Sequence, residues 1–114
     1  MKELLQHIQE SISGKNAPVS CVFANPVRMR SLNRRYRGKT YTPNVLTFRL
    51  AKNEGDIFIC KEIAAGEARR LGIPTRERIA YLFIHGLLHL KGHTHSRTME
   101  RLEREYVKKF LLRY

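Results

Sequence analysis

The chain has 114 residues, with 22 Lys or Arg against 10 Asp or Glu, a formal charge of +12 and 42% apolar residues. That length suits one domain with its own core. The charge excludes an acidic solvating tail and favours a polyanionic partner, either nucleic acid or an anionic membrane surface.

Leu4, Leu5, Ile8 and Ile12 recur at helical spacing up to Gly14 and predict an amphipathic helix over about 2–13. His7, alone on that helix, reads as structural or exposed. Asn16, Ala17 and Pro18 lead into a short β-branched run, 19–24, that reads as a strand. Asn25-Pro26 has the form of a helix start, with Asn25 as N-cap and Pro26 at the first helical position. A basic helix follows to about Tyr36 and is ended by Gly38. Residues 45–50 read as the next strand and 53–55 as a turn. Residues 56–60 read as its antiparallel partner, across a loop longer than a two-residue turn. Ile63, Ala64, Ala68 and Leu71 mark a helix closed by Gly72. The most apolar helix covers about 76–91 and is terminated by Gly92. A last helix carries Met99, Leu102, Tyr106 and Phe110.

Three strands and five helices without an internal repeat predict a single α+β domain over 1–114, a small mixed sheet with helices packed on it. Cys21 and Cys60 lie in apolar runs without metal-ligand spacing, so they read as reduced, small buried residues. No apolar run approaches the ~18 residues of a membrane span, and the start lacks a secretory h-region. The expectation is a soluble, cytoplasmic chain with no membrane partner.

The charge is concentrated. No acidic residue falls between Glu10 and Glu54, a stretch holding Lys15, Arg28, Arg30, Arg34, Arg35, Arg37, Lys39, Arg49 and Lys52. Unbalanced charge repels itself unless a partner offsets it, and the preponderance of Arg suits bidentate phosphate contacts. Tyr36 and Tyr41 lie among these charges. They can stack on unpaired bases or pack against the sheet edge. Arg34, Arg35, Tyr36 and Lys39 are therefore taken as RNA-binding candidates.

The sharpest signal is His85-Gly86-Leu87-Leu88-His89-Leu90-Lys91-Gly92-His93-Thr94-His95. His85 and His89 are four apart on a helix, so both imidazoles share one face and can share one Zn²⁺ at ~2.0–2.1 Å. Gly92 allows the chain to fold back and bring His95 to the same ion, leaving a fourth position open as a catalytic zinc requires. His93 competes as third ligand only on a continued helix, where it lies too far along the axis. It is kept as a contact behind the ligands or to substrate. The glutamate that follows the first histidine of H-E-x-x-H peptidases is replaced by Gly86, which disfavours that mechanism.

The motif resembles the H-G-x-L-H-L-x-G-Y-D-H signature of YbeY-type rRNA maturation factors, which are metal-dependent endoribonucleases. Leu32-Asn33-Arg34-Arg35-Tyr36-Arg37, Thr42-Pro43-Asn44-Val45-Leu46-Thr47-Phe48 and Gly55-Asp56-Ile57-Phe58-Ile59 are similar to three further stretches of that family, in register over about 19–95. The resemblance implies an α+β fold of three to four strands. It implies one zinc per chain on His85, His89 and His95, at the end of a central helix, and no small-molecule cofactor. It also implies a catalytic arginine facing the metal, at Arg37. The implied activity is cleavage of single-stranded RNA in small-subunit rRNA 3′-end maturation and ribosome quality control, with rRNA and the small subunit as partners.

Thr94 and His93 replace the family's Asp and Tyr, and both are read as residues behind the ligands. Thr47 replaces a Ser, and the comparison with the family pattern leads to the expectation of a fold without the family's N-terminal strand. Thr94 carries no charge to orient a ligand or accept a proton. A non-catalytic, zinc-containing assembly factor is the alternative, and a metallopeptidase ranks behind both.

Overall fold

The computed structural model describes residues 1–111; residues 112–114 of the domain expected over 1–114 lie outside the described residues. The elements run α1 (Lys2–Ser13), β1 (Val19–Phe23), α2 (Pro26–Arg37), β2 (Val45–Ala51), β3 (Glu54–Ile59), α3 (Lys61–Leu71), α4 (Thr75–Lys91) and α5 (Arg97–Leu111). The strands form one mixed sheet in the order β1-β3-β2. β3 is central, parallel to β1 with Cys21 opposite Ile57, and antiparallel to β2 with Thr47 opposite Ile57. This is the expected α+β architecture with three strands.

Alternation places Ile57 and Ile59 on one face of β3, where both are fully buried against α4. The α1 stripe of Leu5, Ile8 and Ile12 packs on the same core, as do Met99 and Leu111 of α5. Phe58 points to the other face. There Met29 and Leu32 of α2 cover a smaller cluster with Ala24, Leu46, Phe48 and Cys60. The Asn25 side chain accepts from the Arg28 amide at 2.8 Å, the N-cap expected from Asn-Pro. α4 runs through the middle of the main core, and its inner positions Ile79, Leu82, Phe83, Leu87 and Leu90 are buried. Among the described residues, no helix is long and apolar enough to cross a membrane.

The hairpin differs from expectation in its turn. β3 begins at Glu54 rather than Asp56, so only Lys52-Asn53 join the strands. Asn53 takes a left-handed φ of 59°, which Asn tolerates, and its amide donates to the Leu90 carbonyl at 2.8 Å. A register shift between Arg49 and Ala51 absorbs the extra residue and leaves Leu50 outside, 75% exposed.

Candidate metal centre

The site forms where α4 ends. His85 and His89 lie one turn apart, with Nε2 atoms 3.1 Å from each other. At Gly92 the backbone turns at φ 112° and closes on the Leu88 and His89 carbonyls. Most side chains resist that conformation. The reversal returns His95, whose ring centre lies 5.5 Å from that of His85 and 5.4 Å from that of His89. One ligand nitrogen from each of the three lies within 4.8 Å of the others.

The other ring nitrogens of His85 and His89 have partners. His85 Nδ1 meets Glu103 Oε2 at 2.5 Å, and His89 Nδ1 meets the His93 carbonyl at 3.1 Å. A carboxylate and a carbonyl only accept, so both Nδ1 atoms carry the proton. With both imidazoles neutral, the two Nε2 lone pairs face each other, an arrangement that a cation between them would satisfy. Nitrogens at ~2.0–2.1 Å from a tetrahedral zinc are about 3.3 Å apart, close to the spacing seen here. The residues present therefore fit a zinc ion. Burial, reinforced by His85 beside it, holds the His89 imidazole below its usual range and so in the neutral, ligating form.

Gly86 explains the start of the motif. A Cβ there would lie 2.8 Å from Ile57 Cγ2 in the filled core, so α4 approaches β3 only because this residue has no side chain. There is no room for a peptidase glutamate at that position.

The histidines open into a cleft of about 830 Å³. Its walls include Arg37 at the end of α2, the loop with Tyr41, Pro43 and Asn44, and one face of β2 through Val45, Thr47 and Arg49. Asn33, fully buried, ties α2 to that loop by donating to the Tyr41 carbonyl at 2.9 Å. Glu67 is the acidic residue among the cleft walls. It accepts from Arg78 Nε at 2.8 Å and from Asn44 Nδ2 at 3.0 Å.

The expected site residues divide. His85, His89, His95 and Arg37 meet at the cleft, joined by Tyr41, His93 and Thr94. His93 acts behind a ligand through its backbone carbonyl. Arg34, Arg35, Tyr36 and Lys39 do not line the cleft and lie on exposed surface beside it. Tyr36 stands edge-on to Phe48, with ring centres 5.5 Å apart, and the Arg35 guanidinium lies 5.5 Å from the Tyr36 ring. Cys60 is buried and Cys21 is half-buried; both are free thiols. His7 is exposed.

Glu103 was not legible as a site residue, because its contact with His85 spans 18 residues. Its signal was an acidic residue four positions from Met99, on the inward stripe of α5. Arg49 and the Glu67–Arg78–Asn44 network had no local signal.

A sequence model described as Endoribonuclease YbeY matches residues 1–112. The chain is 39% identical over 97 residues to the endoribonuclease YbeY of Cupriavidus necator, covering 81% of this chain and 49% of that one. It is 44% identical over 79 residues to that of Aromatoleum aromaticum, covering 67% and 51%. The chain thus spans about half the length of these two curated relatives. The solution structure of TM1509 from Thermotoga maritima superposes with a TM-score of 0.71 at 28% identity, covering 96% of this chain and 77% of that one.

Proposed function

Because the chain belongs to the YbeY endoribonuclease family, we propose that it is a zinc-dependent endoribonuclease that cleaves single-stranded RNA. Its proposed setting is cytoplasmic, in maturation of the small-subunit rRNA 3′ end and ribosome quality control. The observation that carries the reading is the pair of His85 and His89 Nε2 atoms, 3.1 Å apart, opening with His95 into a cleft walled by Arg37.

A zinc ion held by these three histidines supplies Lewis acidity toward a phosphoryl oxygen and acidifies bound water. The chain's own residues do the rest. Arg37 binds the phosphodiester through its planar fork and offsets the negative charge that builds on the phosphoryl oxygens. Tyr41, 56% exposed at the cleft, offers a ring to a base, which must be unpaired to reach it. Arg34, Arg35 and Lys39 hold the backbone beyond the cleft, and Tyr36 offers a second stacking surface there. Glu103 and the His93 carbonyl keep the protons on the outer nitrogens of His85 and His89.

One observation favours a second reading, a zinc-containing RNA-binding assembly factor without turnover. Glu67 is already held by Arg78 and Asn44, and Thr94 brings no carboxylate. General-base catalysis by a free carboxylate therefore has no candidate among the described cleft residues. The two readings separate on a single-stranded fragment of the small-subunit rRNA 3′ end, tested with wild type and with His85→Ala purified identically. Cleavage by wild type alone is expected. Tight binding without turnover by wild type selects the assembly factor.

A further inference from the structure

The cleft holds a second arginine, on β2. Val45, Thr47 and Arg49 occupy alternate positions and face the cleft together. The bulge that extrudes Leu50 follows directly on Arg49, a place where bulges commonly re-aim a side chain. Arg49 Nε donates to the Leu90 carbonyl at 2.9 Å, one residue beyond the ligand His89. The terminal nitrogens remain, with Nη2 3.6 Å from where a Cβ on Gly92 would sit. Among the described residues Arg49 is in no ion pair, and Glu67, the acidic residue of the cleft wall, is engaged by Arg78.

We propose that Arg49 is a substrate-binding residue of this cleft, holding a second backbone phosphate of the RNA strand whose scissile phosphate reaches Arg37 and the histidines. This rests on the RNA-cleaving reading above. Anchoring Nε to a main-chain carbonyl fixes the plane of the guanidinium in advance, which lowers the ordering cost of binding. The four N–H groups left on the terminal nitrogens match phosphate oxygens. A purely structural brace is the competing role, but the Leu90 carbonyl already accepts from the Asn53 amide at 2.8 Å. That bond ties the β2–β3 turn to α4 without Arg49.

The test is fluorescence anisotropy of a short labelled oligouridylate with the full, metal-free chain, so that nothing is cleaved, from low to physiological salt. Arg49→Ala and Arg49→Lys are compared with Lys2→Ala, which removes the same charge from the exposed start of α1. Each phosphate contact to a single strand adds about 0.7 to the slope of log affinity against log salt, or about twofold between 0.05 M and 0.15 M. Arg49→Ala is expected to lower the slope by that amount and to leave zinc stoichiometry and affinity unchanged. Arg49→Lys keeps the slope, and Lys2→Ala keeps that of wild type. Binding by wild type with Arg49→Ala indistinguishable from Lys2→Ala overturns the assignment alone. Weakened zinc binding in Arg49→Ala with the RNA slope intact also overturns it, in favour of the brace. No binding by wild type overturns the RNA reading and the assignment with it.

Discussion

Replacing Glu103 by glutamine tests how the proposed zinc site is prepared. Glu103 is 8% exposed, on the inward side of α5, and its carboxylate accepts a hydrogen bond from His85 Nδ1. That contact leaves Nε2 as a lone pair aimed at the metal position. The glutamine side chain is nearly isosteric, so the α5 packing through Met99 and Leu111 is retained. Its amide, however, can turn its NH₂ group toward Nδ1 and favour the tautomer that cannot ligate. Loss of such an outer partner lowers metal affinity about 10–100-fold, or ~1.4–2.7 kcal/mol at 1.36 kcal/mol per decade. Competition with a chromophoric zinc chelator measures that loss in Glu103→Gln. The nitrogen chemical shifts of the His85 ring in the metal-free protein report the tautomer without reference to activity. Zinc affinity within about twofold of wild type, with an unchanged tautomer, would refute the argument that this carboxylate orients the ligand.

Further outcomes are expected elsewhere. Gly86→Ala drives a methyl into Ile57 in the filled core and should destabilise the fold by about 1–3 kcal/mol in urea titration; an unchanged midpoint would show that α4 and β3 can separate freely. His89→Ala should abolish stoichiometric zinc in elemental analysis, because it leaves two of the three clustered ligands; one retained equivalent would place the ion elsewhere. Burial pushes the Cys21 thiol from 9.0 up to about 11, against a smaller opposing pull from Lys61. The unfolded chain therefore loses this proton first, so stability should fall as pH rises above about 9, by up to ~1.4 kcal/mol per unit until the folded thiol also ionises. Cys21→Ala should flatten that decline, and an unaltered alkaline profile would remove Cys21 as its cause.

Much of this molecule is local in origin and was therefore legible. The α1 stripe, the Asn25 cap and the Gly92 stop are set by spacing and backbone sterics within a turn or two. The three-histidine site was readable for the same reason, since His85 and His89 share a helix face and Gly92 permits the reversal that returns His95. Contacts between distant elements were not readable. Glu103 reaches His85 across the α4–α5 packing, and Asn44 meets Glu67 across 23 residues. The turn at Lys52-Asn53 was tighter than its composition implied, because Asn53 adopts a left-handed conformation and a bulge in β2 absorbs the extra residue. Arg37 was placed by resemblance and does line the cleft, whereas Arg34 and Arg35 of the same helix are exposed and do not line it.

Dependence of RNA cleavage on an ion held by His85, His89 and His95 is tested most directly by reconstitution. The full chain is stripped with a chelator and titrated with zinc while cleavage of a single-stranded rRNA fragment is followed. The expected result is no cleavage by the stripped protein, a rise with added zinc that breaks at one equivalent per chain, and no recovery in His89→Ala. Cleavage that survives stripping, or that returns equally in His89→Ala, would contradict it.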